Sequence, residues 1–411
     1  MKIVIVVALI SIFQIYHQAA ASALTLLNYG LTRFQLSMIS VAFPAGKFFG
    51  TLAVVPLYRH FTNKHCLDFN AHLLFAGCAL QILPSYIFFC LGRFIAGIGV
   101  GIGFVSAPIC IKDMTDYHQR PKMFFTAAVI FSGSAIFSSF LPFLKGIHYS
   151  TFCFLITSPA FISCMLYYKY RELYVEPIKE EFDGEEEMEV QNYALFNPKF
   201  MAFVLMVINA TIGVPVILSY SSVIFTEMHI APHKAAVLSL VYPLVQVFFL
   251  FAASSLQGQI SRRTTVIVGY GICLAAFFAL LLTQHFHTLD HNPQVKAMAS
   301  AFWLIMLAGL MAVPCNSGLC IISELFCTRY SLFRGVSFSR AVFWFLSAVI
   351  SGTFLWLLEN GTLFTALLPS FVVASICFVY LYILLPEDAE QRGRLGSPMV
   401  ASGYGTVGIM Y

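Results

Sequence analysis

Apolar stretches of roughly 20 residues recur along this chain, and that recurrence restricts its possible folds more than any other feature. Twelve can be read, at about 3–22, 36–58, 67–83, 85–111, 123–144, 149–170, 200–225, 234–257, 265–284, 297–322, 335–358 and 363–385. Each can cross a hydrocarbon core of about 30 Å. A backbone in hydrocarbon must satisfy its own hydrogen bonds, which for segments of this length means helices. Composition agrees: 59% of the 411 residues are apolar and 10% charged, where a soluble domain carries about 25% charged residues. The expected fold is an all-α membrane protein with 12 transmembrane helices. Met1 and Lys2 lead straight into the first stretch without an A-x-A-like cleavage site, so that stretch is expected to remain as a span.

Charge orients the spans. If both termini lie on one side, only Arg33, Lys145, Lys234 and Lys296 fall on the far side, while Lys47, Arg93 and Arg340 fall within spans. The other sixteen of 23 Lys and Arg share the side of the termini. The positive-inside bias makes that side cytoplasmic, with the plasma (inner) membrane as the expected location. A formal charge of +4 gives no reason to expect a nucleic-acid partner. Between spans six and seven, residues 171–199 gather Glu180, Glu181, Asp183, Glu185, Glu186, Glu187 and Glu189. Such a block cannot bury a core and reads as a solvated linker. It separates an N-terminal bundle at 1–170 from a C-terminal bundle at 200–386, and a polar, Gly-rich tail follows at 387–411. The halves echo each other. Span four ends in Pro108, Asp113 and Arg120, and span ten in Pro314, Glu324 and Arg329. Basic loops follow span two (Arg59, His60, Lys64, His65) and span eight (Arg262, Arg263). Two pseudo-symmetric six-helix bundles around a midplane site are the expected architecture.

Residues 91–120 hold the densest set of signals. Gly97, Gly99, Gly101 and Gly103 make two overlapping G-x-x-x-G pairs, which allow close approach of another helix backbone. Arg93 lies about seven residues into the same apolar run, where a guanidinium is costly without water or a partner. Lys47, near the centre of span two, is too deep to snorkel and is expected to face a wet cavity. No Asp or Glu occupies the middle of any span. That absence favours an anionic cargo bound by Lys47, the alternative being a lysine solvated by cavity water. Arg340, about five residues into span eleven, is near enough to the interface to reach it and is a weaker candidate. Gln14, Gln18, Asn209, Gln246 and Asn316 offer amides at membrane depth, either for the backbone beside Pro215 and Pro314 or for cargo. Asp113, Arg120, Glu324 and Arg329 can form ion pairs that close the linker-side mouth. Eleven cysteines lie almost wholly within apolar runs, with no C-x-x-C and no zinc-like histidine spacing. No metal and no cofactor is therefore expected. H-E-x-x-H, paired carboxylates and an activated serine are missing from the sequence, so it carries no catalytic constellation.

These motifs resemble the major facilitator superfamily over about 3–386, most of all its sugar-porter-like branch. Gly92-Arg93-Phe94 followed by glycines, Ser323 to Arg329 beside E-L-F-P-T-R, and Leu385-Pro386-Glu387 beside P-E-T carry the resemblance. Departures accompany it. Arg59 stands where the loop after span two has an aspartate, Asn209 to Pro215 replaces Q-Q-L-S-G-I-N, and Leu319 replaces an aromatic pocket residue. Ile111 to Met114 is similar to drug–proton antiporters, but 132–142 lacks their G-P-x-x-G-G. The resemblance implies a monomeric, lipid-embedded secondary active or facilitative carrier of a small polar solute, anionic in the reading of Lys47 above, by alternating access. A drug–proton antiporter and a non-transporting sensor or scaffold stay open as alternatives. It also sets His17 where proton-coupled relatives carry a titrating aspartate, with Arg93 as its electrostatic partner in a symport. The competing reading is a histidine bonded to a helix carbonyl, with no coupling.

Overall fold

The computed structural model describes residues 18, 21–24, 27, 29–115, 119–144, 146–175, 197–256, 259–285, 292–326 and 329–386, of Arg329 only the backbone. Residues 21–24 are helical and belong to span one. Spans two to six are the helices Arg33–His60, Asn63–Gln81, Tyr86–Met114, Arg120–Phe140 and Tyr149–Tyr170. Span seven consists of Pro198–Thr211 and Val214–Glu227, and span eight of Pro232–Ser255. Span nine is Arg262–His285, and span ten consists of Pro293–Leu310 and Ala312–Glu324. Arg329–Glu359 and Leu363–Leu384 complete the set.

Ten of these spans are long and apolar enough to cross a membrane. Span three is the exception among the described residues, and it begins earlier than its hydropathy suggests. The Thr62 side chain caps the helix by accepting from the His65 N–H, which draws Asn63 into the first turn. Span three can be polar because its polar side chains Asn63, Asn70 and Gln81 are buried. Spans seven and ten, read as continuous from sequence, are each interrupted. Gly213 takes φ +108°, open to glycine at little cost, and Pro215 starts the next helix without needing an N–H partner. In span ten the two helices abut at Met311, which keeps helical φ −57° and ψ −27°, three residues before Pro314, whose ring removes a ladder bond.

The glycine ladder serves two neighbours. A Cβ on Gly97 would lie 2.5 Å from the Phe43 carbonyl oxygen, and one on Gly101 would lie 2.9 Å from Lys47 Cα, so this pair admits span two. A Cβ on Gly99 would lie 2.8 Å from the Asn70 carbonyl oxygen, and one on Gly103 would meet the Asn70 amide, so the alternate pair admits span three. Span four is thereby clamped between two helices at backbone contact. The last helix starts at a reciprocal cap formed by Thr362 and Thr365.

The two halves meet along spans two and eleven. At the end opposite the linker, Arg33 pairs with Glu227 at 3.7 Å and Glu359 at 3.6 Å. In the middle, Ser337 Oγ donates to the Thr51 carbonyl at 2.6 Å. Toward the linker end, Tyr58 and Phe333 stack with centroids 3.7 Å apart, and Arg59 donates to the Tyr330 hydroxyl at 3.3 Å. The seam is closed at both ends and at its centre.

Candidate functional site

Span two turns Phe43 and Lys47 inward one helical turn apart, span four supplies Arg93 and Phe104, and span eleven supplies Arg340 and Trp344. Lys47 and Arg93 are 0% exposed and Arg340 is 5% exposed, which removes water as their partner. Aromatic faces take its place. Lys47 Nζ lies 4.3 Å from the Phe43 ring centroid and 3.9 Å from that of Trp344. The Arg93 guanidinium lies 5.3 Å from the Phe43 ring centroid, and Arg340 stacks 3.9 Å over Phe104. Phe104 and Trp344 meet edge-to-face at 5.2 Å. A continuous string results: Arg93, Phe43, Lys47, Trp344, Phe104, Arg340. Arg93 is further fixed by donating from Nε to the Ile39 carbonyl at 2.9 Å, in the turn that Pro44 loosens.

Magnitudes decide what the string can do. A desolvated cation–π contact contributes about 2 kcal/mol, so two rings offset about 4 kcal/mol for Lys47. Removing an ammonium from water costs several kcal/mol even after relaxation, and Arg93 and Arg340 both repel Lys47. The rings thus offset a desolvation cost of the same order. The expectation of a wet hollow around Lys47 and Arg93 is corrected: both are sealed, because the halves are closed and rings replace water. Arg340, expected to reach toward the interface, is buried with them. The described cavity, about 470 Å³ lined by Pro56, Leu57, Phe61, Phe69, Leu73 and other residues, lies elsewhere, between spans two, three and four.

The amide candidates divide. Gln18 donates to Ser219 Oγ at 3.4 Å, beside a cluster in which Ser22 Oγ lies 3.0 Å from Ser221 Oγ and 2.8 Å from Ser222 Oγ. These bonds join span one to span seven across the halves. Asn209 accepts from the Tyr270 hydroxyl. Asn316 Nδ2, Ser317 Oγ, Gln246 Oε1 and Trp344 Nε1 are buried without a hydrogen-bond partner among the described residues. Gln14 and His17 lie outside the described residues. Sequence reasoning missed Trp344, Phe43, Phe104 and Tyr270, since one aromatic among 42 Phe, 19 Tyr and 3 Trp carries no mark of its own.

At the linker end Glu324 gathers two arginines. It pairs with Arg120 across the halves at 3.9 Å and with Arg262 inside its own half. Lys112 donates to the Ser323 and Phe326 carbonyls at 3.3 and 3.4 Å, at the carbonyl-rich end of span ten. Asp113 accepts from Tyr174 at 2.7 Å within the first half. Burial pushes the Tyr174 phenol up, which keeps it a donor. The side chain of Arg329 lies outside the described residues. Arg262, seen in the sequence only as part of a basic loop, is the unforeseen member of this group.

A family model described as the Major Facilitator Superfamily matches residues 4–323. The chain belongs to the Major Facilitator Superfamily. It is a multi-pass integral membrane transporter, secondary active or facilitative, and not an enzyme. The sugar-porter-like resemblance holds as well. The chain is 21% identical to myo-inositol transporter 1 of Candida albicans, covering 92% of this chain and 78% of that protein. Among solved structures it is similar to a D-xylose–proton symporter, with TM-score 0.73 and 15% identity over 94% of this chain and 98% of the other. It is also similar to the E. coli fucose–proton symporter, with TM-score 0.64 and 13% identity over 93% and 98%. The fold is the facilitator fold that the resemblance implied.

Proposed function

We propose that this facilitator carries a small, polar, anionic solute by rocking its halves, 1–170 and 200–386, about the string of Lys47, Arg93 and Arg340. One observation carries the reading: three cations are buried at membrane depth while every Asp and Glu of the chain lies near a span end, in a loop or in the tail. The cargo supplies the missing negative charge. Asn316, Ser317 and Gln246 have hydrogen bonds to offer to its neutral polar groups, and the inositol, xylose and fucose carriers supply the precedent for hydroxylated cargo. Gln18 serves the seam instead, and Asn209 orients Tyr270. Gln14 and Arg93 with His17 remain part of the proposal as cargo and proton-coupling groups. Glu324, Arg120, Arg262 and Lys112 latch the linker-side mouth, with Asp113 holding Tyr174 in place and Arg329 on the same rim. The arginine and lysine asymmetry puts that mouth, both termini, the 171–199 linker and the 387–411 tail in the cytoplasm, with the plasma membrane as the host bilayer and a monomer as the working unit.

A thermal-shift screen of purified protein against sugars, polyols, carboxylates, phosphate esters and lipophilic cations tests the reading. Stabilisation by carboxylates or phosphate esters that disappears in Lys47→Gln is the expected result. Stabilisation by lipophilic cations would select drug–proton antiport, and binding without flux in reconstituted vesicles would select a sensor. Stabilisation by neutral polyols alone, unchanged in Lys47→Gln, would remove the anion.

A further inference from the structure

We infer that the groove between spans two, three and four seats an anionic phospholipid, one acyl chain lying in the groove and the phosphate at its linker-side mouth beside Arg59, His60 and Arg334. Two observations meet there. The first is the groove, about 470 Å³, lined by Ala53 and Leu57 of span two, Phe69 and Leu73 of span three, and Ile98 and Ile102 of span four. His60 lines it at the linker end. From Ala53 to His60 a helix rises about 10 Å, most of the depth of one leaflet, about 15 Å of hydrocarbon. Leu52 and Phe75 on the bordering helices are half exposed, whereas Val54 and Tyr58 of the seam are buried. The groove therefore opens on the outer, lipid-facing side of the bundle.

The second observation is charge. Residues 59–67 hold Arg59, His60, Lys64 and His65 and no Asp or Glu. Lys64 pairs with Glu172 at 2.6 Å, so its charge is already answered. Arg59 donates to the Tyr330 hydroxyl at 3.3 Å, and the Arg334 guanidinium lies 5.6 Å from the ring of the same tyrosine. Two exposed guanidiniums, one from each half, thus gather at one phenol next to the groove mouth. A guanidinium keeps its charge whatever else it touches, and the His60 imidazole adds a donor or acceptor. Hydrocarbon gains little by leaving bulk lipid for an apolar groove, so the groove positions a chain and the charges choose its headgroup. Basic side chains at a membrane interface select anionic lipids, about fivefold per residue. Free phosphate matches the charge and has no chain for the groove. The acidic residues of 180–189 match the charge as well, but among them only Phe182 and Met188 are apolar, too few to line it.

The test follows the melting temperature of the full chain in neutral detergent while dioleoyl-phosphatidylglycerol, dioleoyl-phosphatidylcholine or inorganic phosphate is titrated. Phosphatidylglycerol is expected to stabilise saturably at about 25-fold lower concentration than phosphatidylcholine, from two arginines at about fivefold each, and inorganic phosphate to do nothing. Arg59→Gln and Arg334→Gln should each reduce that preference about fivefold, Arg59→Lys and Arg33→Gln should leave it intact, and Ala53→Trp should weaken both lipids by filling the groove. The preference is a ratio within each variant, so a general loss of stability cancels. If Ala53→Trp does not fold, Leu73→Trp fills the groove from the opposite wall. Equal stabilisation by the two lipids, a preference unchanged in Arg59→Gln and Arg334→Gln, or undiminished binding in the filled variant overturns the inference. So does stabilisation by inorganic phosphate that depends on Arg59, which would assign a site for a free anion. Phosphatidylglycerol stabilisation that emerges only when the acidic residues of 180–189 are changed to Gln and Asn would give the mouth to the linker, and overturns it too.

Discussion

Replacing Glu324 by Gln should open the linker-side mouth. In the structure Glu324 holds Arg120 across the seam at 3.9 Å, with side chains 6% and 13% exposed, so solvent screening is weak. Two unit charges about 4 Å apart attract by about 4 kcal/mol at an effective dielectric of about 20. Side-chain ordering and desolvation return roughly half of that, leaving about 2 kcal/mol that favours the closed mouth. Since each 1.4 kcal/mol is tenfold, the closed-to-open ratio should fall about 30-fold. Spin labels at exposed Lys122 and Ser261, one on each half, would report the mouth as a distance distribution. E324Q and R120Q should both broaden it toward longer distances. R262Q should broaden it less, because Arg262 and Glu324 belong to the same half. A distribution in E324Q that superimposes on the parent, or equal opening by R262Q and R120Q, would refute the latch.

Lys47→Met should raise the melting temperature in plain buffer by a few degrees, because an apolar isostere avoids the buried charge, while any anion-induced shift disappears. A melting temperature that falls would mean that the ammonium is stabilising by itself. Gly101→Val should cost several kcal/mol and lower the yield of folded protein, since even a Cβ there would lie 2.9 Å from Lys47 Cα; a variant that melts like the parent contradicts the close packing of spans two and four. Arg33→Ala should change uptake of the cargo less than threefold, because Arg33 is 51% exposed and its ion pairs are screened. Ser22→Val, which removes the bonds to Ser221 and Ser222, should cost more than tenfold in the same assay. Equal effects of these two substitutions would show that the seam opposite the linker is held otherwise.

Span number, the glycine ladder and the pairing of Arg120 with Glu324 were legible in the sequence because each rests on a local rule. A lipid-crossing helix needs about 20 apolar residues, and Gly97 to Gly103 can only serve close backbone approach in a bilayer. Arg120 and Glu324 were legible because charges at span ends are few. The surroundings of Lys47 were not. Hydropathy says that a mid-span ammonium needs a partner, but the partner is Trp344, 297 positions further along the chain, and nothing local distinguishes that indole from those of Trp303 or Trp356. Span three was misplaced at its start for a related reason: its polar residues are tolerated by burial against span four, a tertiary effect that no window along the chain contains. The breaks in spans seven and ten fall beside Pro215 and Pro314, where a missing N–H could be foreseen, although the left-handed backbone at Gly213 could not.

The division of labour between the halves follows from where each kind of group can be held. The first half can fix a cation rigidly, because Gly97 and Gly101 bring span four against the backbone of span two at the turn that carries Lys47. The second half is interrupted at Gly213 and Met311, and Tyr220 departs from helical geometry with φ −135° and ψ 18°. Spans seven and ten are each built from two helices, whereas spans two and four run as single helices in spite of Pro44, Pro56 and Pro108. Charge on an unbroken helix and polar groups on divided ones suit a carrier in which cargo meets the cation first and the second half then closes on it. The ring of Trp344, borne on the long helix Arg329–Glu359, reaches Lys47 across the seam without any bend in span seven or ten.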